Sequence, residues 1–184
     1  AFGVVGASVK YSSLGKIHYD ISTAKQFTVK DNITVCLDMN GKSYNTRGRT
    51  LGTSGAKSYL NVMDLVGGGE INATSAGNNP GGGCVSVGSG TGGFNLYSGT
   101  LSYTAIAENS KWGGTGRGGV IQSSAPVNIY GGTYKHHNDS NPIVCLRDPS
   151  AVVTMHGGVI DGASNTKAPN VLLTAGTFHM HGGK

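Results

Sequence analysis

Five segments of this chain repeat one short pattern, an apolar-polar-apolar triplet leading to a glycine turn, and that repetition limits the possible folds more than any other feature. Leu60-Asn61-Val62-Met63, Phe94-Asn95-Leu96-Tyr97, Val127-Asn128-Ile129-Tyr130, Val153-Thr154-Met155-His156 and Phe178-His179-Met180-His181 align without gaps. The last four continue with Ser98-Gly99-Thr100-Leu101, Gly131-Gly132-Thr133-Tyr134, Gly157-Gly158-Val159-Ile160 and Gly182-Gly183-Lys184. The Leu60 copy reaches Gly68-Gly69-Glu70-Ile71 after an insertion. Strand, glycine turn, strand is the unit.

In every copy the first and third positions are apolar and the second is polar, a period of two that puts one face inward. A second apolar run precedes each later copy: Cys84 to Val87, Gly119 to Gln122, Ile143 to Leu146 and Val171 to Thr174. The copies begin at residues 60, 94, 127, 153 and 178, so they recur after 34, 33, 26 and 25 residues. That is too long for a hairpin and right for one coil of a solenoid. The longer coils carry their excess in Gly- and Asn-rich loops, residues 72–83 and 104–118, which belong on one face. Upstream, Phe27-Thr28-Val29 and the run from Ile33 to Lys42 read as the first coil.

The block from Lys25 through Ile71, with its Leu37-Asp38-Met39-Asn40-Gly41-Lys42 turn, resembles the opening of right-handed parallel β-helices of the pectin-lyase-like superfamily. The later Gly-Gly-Thr copies are similar to repeats in bacterial secreted and surface proteins of that class. The resemblance implies an all-β chain, a single-stranded right-handed parallel β-helix (β-solenoid) of about six rungs. Residues 25–184 are expected to form that helix, and residues 1–24 an N-terminal strand, cap or assembly segment.

Stacked rungs lie about 4.8 Å apart, so equivalent residues form columns. Phe94, Val127, Val153 and Phe178 stack beside Leu96, Ile129, Met155 and Met180 as a core. Asn61, Asn95 and Asn128 take the outward second position, where amides bond up the stack as a ladder. Tyr97, Tyr130, His156 and His181 form an outward column of flat rings. A stacking ladder is the preferred reading of those rings; a glycan platform, joined by Trp112 in the 104–118 loop, is its rival. A metal pair at His156 and His181 is the weakest reading, because no carboxylate stands nearby. No metal or other cofactor is expected.

With 32 glycines and 12% charged residues, composition suits a thin elongated core and turns, and it lacks the period of collagen. The net charge of +5 is scattered, which argues against a nucleic-acid partner. No stretch reaches the roughly 18 apolar residues of a membrane span. Ala1, a small residue, is what signal cleavage leaves behind. The expected location is therefore extracellular or at the cell surface, with the signal peptide already removed. Asn32, Asn72 and Asn138 fit the glycosylation pattern. Cys36, Cys84 and Cys145 lack zinc or redox spacing and read as small buried hydrophobes.

Pectin-lyase-like enzymes act through clustered carboxylates, and glycoside hydrolysis needs at least a positioned pair. The nine acids here are dispersed and no two are adjacent. Only Asp38, Asp64 and Asp148 offer a trio that stacking would have to assemble. The chain is expected not to be an enzyme.

The expected function is structural. Phe178, Met180, Gly182, Gly183 and Lys184 read as an open C-terminal rung, and Phe2, Val4, Val5, Val9 and Tyr11 as an apolar segment that should not be left in water. An N-terminal segment covering the next molecule's open rung would make end-to-end filaments, the partner being the protein itself. A surface adhesin or carbohydrate-binding module is the alternative, and a polysaccharide lyase or hydrolase comes after it.

Overall fold

A computed structural model describes residues 9–11, 17–19, 27–47, 51–75, 83–105, 119–137, 142–162 and 169–184. Strands β1 (Val9–Tyr11) and β2 (Ile17–Tyr19) pair antiparallel, Val9 opposite Tyr19. The remaining seventeen described strands coil as a parallel β-helix of six rungs.

The first rung holds β3 (Phe27–Val29), β4 (Thr34–Asp38) and β5 (Ser43–Arg47). The second holds β6 (Leu51–Thr53), β7 (Tyr59–Met63) and β8 (Glu70–Ser75). The third is β9 (Val85–Val87), β10 (Gly93–Leu96) and β11 (Thr100–Ala105). The fourth is β12 (Ile121–Ser123), β13 (Val127–Ile129) and β14 (Thr133–His136). The fifth is β15 (Val144–Leu146), β16 (Val152–Met155) and β17 (Val159–Asp161). The sixth has β18 (Val171–Leu173) and β19 (Thr177–Met180). Each coil therefore contributes one strand to each of three parallel sheets, the sixth coil to two of them.

Register follows the sequence repeat. Val35, Leu60, Phe94, Val127, Val153 and Phe178 pair in line along the second sheet, as do Leu37, Val62, Leu96, Ile129, Met155 and Met180. From Leu60 to Met155 these two columns are fully buried. Each such side chain contributes roughly 1.5–3 kcal/mol through burial. The first sheet adds Leu51, Val85, Ile121 and Val144, and the third adds Ile71, Leu101 and Tyr134. A narrow core closed on three sides results, which is how a chain with so few apolar residues still buries them.

The two ends differ. In the first rung Phe27, Val29 and Val35 are no more than 6% exposed. In the sixth, Leu173 and Met180 are 47% and 54% exposed, although their neighbours one rung in, Leu146 and Met155, are at 0%.

One expectation needs correction. Cys84 and Cys145 are buried, but Cys36 is exposed. It pairs with Asn61, so it stands at the outward second position of its strand, and alternation turns it to the surface.

Candidate functional site: the corner between the second and third sheets

The Gly-Gly turn creates this corner. At Gly131 an added Cβ would lie 2.4 Å from the Tyr97 carbonyl oxygen of the rung below, and at Gly132 the backbone takes φ +80°. The first glycine is demanded by close approach and the second by left-handed geometry. The Tyr130 amide then donates to the Leu96 carbonyl at 2.8 Å, and the His156 amide to Ile129 at 2.7 Å. These bonds put the fourth residue of each copy directly above the last.

A stack of rings follows. Tyr97 and Tyr130 lie 5.0 Å apart with planes 8° from parallel, and Tyr130 and His156 lie 4.9 Å apart at 7°. His156 and His181 continue at 5.7 Å and 22°. The ring spacing matches the rung spacing, so each inner ring has both faces covered by its neighbours. Tyr97 and Tyr130, at 44% and 45% exposure, present edges and hydroxyls to water. A sugar ring stacking face-on would find no free face on Tyr130. Trp112, the other residue of the glycan reading, lies outside the described residues.

Beside the rings runs the amide ladder. Asn128 Nδ2 donates to Asn95 Oδ1 at 2.9 Å, and Asn95 Nδ2 to Asn61 Oδ1 at 2.7 Å. Asn61 Nδ2 ends the ladder on Cys36 Sγ at 3.6 Å. Each net hydrogen bond of this kind adds about 1 kcal/mol and fixes the register of its rung.

At the lower end of the corner, the insertion in the second rung is tied by Asp64. Its carboxylate accepts from the Gly41 amide at 2.7 Å and the Gly69 amide at 2.6 Å. Ser98 Oγ brackets it from above, accepting from the Asp64 amide and donating to its carbonyl. Burial pushes the Asp64 carboxyl up, but the amides of Gly41, Gly69, Gly67 and Val66 outweigh it and hold it below the usual carboxylate range. Asp38 Oδ1 accepts from the Asn40 and Leu65 amides nearby. The outcome is a rigid loop that carries Leu65 and Val66 into solvent, 75% and 70% exposed.

A polar cluster on the third sheet escaped sequence reasoning. Glu70 Oε1 accepts from Ser102 Oγ at 2.5 Å, meets His137 Nε2 at 3.1 Å, and lies 3.5 Å from Lys135 Nζ. Burial raises the Glu70 carboxyl, and these donors more than reverse it. One carboxylate thus fastens three rungs. No single repeat alignment reveals it, because Lys135 and His137 stand two rungs away. Asn72 extends a second amide contact to Asn45 at 3.1 Å and takes a bond from Thr104 at 3.0 Å.

Stacking does not assemble the carboxylate trio. Asp38 and Asp64 sit at this corner in the first two rungs, both engaged by backbone amides, whereas Asp148 lies in the turn between β15 and β16. There its carboxylate accepts from the Ser150 hydroxyl and amide, which hold it below the usual range. Among the described residues, no three His, Cys, Asp or Glu converge on one point as placed.

Of the residues assigned to assembly, Phe178 and Met180 lie on β19, with Gly182, Gly183 and Lys184 following; the Lys184 carbonyl accepts from the Ile160 amide at 2.7 Å. Val9 and Tyr11 fall in β1. Phe2, Val4 and Val5 lie outside the described residues. No family model, curated protein or solved structure matches the chain.

Proposed function

We propose that this is a structural β-helix of a secreted or cell-surface protein that associates end to end with further copies of itself. The supporting observation is the sixth rung. Leu173 and Met180 extend columns that are dry one rung earlier, and the outer edges of β18 and β19 carry no strand among the described residues. An apolar rung with an unpaired edge favours addition of another strand.

The covering element is the apolar run from Phe2 to Tyr11 of the next copy. The first rung offers no matching bare face, since Phe27 and Val29 are already buried. A head-to-tail contact of this kind does not close on itself and grows into filaments. A carbohydrate-binding role draws weaker support, because the exposed tyrosines turn their edges outward.

Light scattering and negative-stain microscopy over a range of concentrations test the proposal. Filaments or a concentration-dependent mass are expected, lost in Met180→Lys and in a chain lacking residues 1–11. Monodisperse monomer at high concentration overturns it. Oligomers that stop at a dimer and survive the deletion also overturn it, pointing instead to a two-fold contact between sixth rungs.

A further inference from the structure

Three imidazoles stand on one outward face where the fifth and sixth rungs meet. His179 lies on β19 at the outward second position of its repeat copy, and His181 follows just past the strand at the fourth position, the one that Tyr130 and His156 hold in the rungs before. The ring centres of His179 and His181 are 6.2 Å apart, and His156, one rung in, lies 5.7 Å from His181. All three are exposed. No hydrogen bond or ion pair occupies their ring nitrogens among the described residues.

The ring column changes character here. The tyrosine steps hold planes within 8° at 5.0 Å or less, whereas the histidine steps open to 22° and 17° at wider spacing. These rings are placed by the rungs without being locked by close stacking. Two imidazoles sharing a tetrahedral ion through bonds of about 2.0–2.1 Å have ring centres about 5 Å apart. The three rings do not converge on one point in this arrangement, and a shared ion would draw the exposed side chains together by rotation between staggered rotamers.

We propose that His156, His179 and His181 form a surface site for a divalent transition metal such as zinc, nickel or copper. Imidazole nitrogens favour these ions over magnesium or calcium, which require oxygen ligands. No residue of the set is buried, and no carboxylate orients the imidazoles, so affinity is set by the three ligands alone. Water completes the coordination. Binding would clip β19 to β16 through side chains and thereby stabilise the sixth rung by mass action.

Calorimetric titration of the chelator-treated full chain with zinc chloride, nickel chloride and magnesium chloride tests the site. One zinc or nickel ion per chain is expected and no magnesium. His156→Gln, His179→Gln and His181→Gln should each weaken binding by about tenfold or more, a loss of about 1.4 kcal/mol for each tenfold step. His137→Gln, on another sheet, should leave it unchanged. Circular dichroism checks that the exposed substitutions preserve the fold. Affinity unaltered in the three variants, or an absence of saturable binding in the parent chain, overturns the proposal.

Discussion

Asp64 shows how much one side chain can govern a turn. Its carboxylate gathers amides from two rungs, so Asp64→Ala should cost about 2–3 kcal/mol by leaving buried donors without acceptors. Denaturant unfolding at neutral pH measures that loss. Because its folded value lies below the ordinary aspartate value, its contribution is present above about pH 4 and disappears as pH falls through the folded value. Asp64→Asn should flatten the acid limb of the stability curve. Cysteine exposure gives a second test. Burial pushes the Cys84 thiol up to about 12, and Cys145 is also buried, so iodoacetamide should label Cys36 alone until the protein is unfolded. Peptide mass mapping reads the difference. The outward columns at Asn61, Asn95 and Tyr130 were legible in the sequence because each repeats at a fixed offset. Asp64 was not, since it lies in an insertion with no second copy to align, and Glu70 was hidden because its partners Lys135 and His137 come from two coils later.

Glycine turns set the corner, and their two residues answer to different forces. Gly131→Ala drives a Cβ against a backbone carbonyl that cannot move without shifting its rung, so it should destabilise by several kcal/mol. Gly90 has φ +73° and nothing within 4 Å of an added Cβ, so Gly90→Ala should cost only about 1–2 kcal/mol of backbone strain. Thermal unfolding of the two variants separates crowding from torsion. This difference could not be read from the sequence, where both positions are simply turn glycines. What could be read was the strand placement: the alternation in Val127-Asn128-Ile129 fixes both the inward face and the register, and a one-residue slip would bury Asn128. Loop contents carry no such period, and so Trp112 and its surroundings gained nothing from the repeat.

At the scale of the whole molecule, each rung's strands pair only with those of the adjacent rungs, the Glu70 cluster alone reaching two rungs on, so stability is close to a sum of local interfaces and should fade toward a bare end. Hydrogen exchange should show strong protection in β10, β13 and β16 and weaker protection in β19. Equal protection throughout would mean that the sixth rung is covered in solution. The chain's coiling also decides how it meets a load. The hydrogen bonds between rungs run along the axis, so a pull from end to end opens a few of them at a time, beginning at the weakest coil. Each opening frees the 25 or 26 residues between Val127, Val153 and Phe178, or the 33 between Phe94 and Val127, about 80–120 Å of slack when extended. Under tension such a protein behaves as a shock absorber, lengthening in discrete steps while the coils that remain keep their shape.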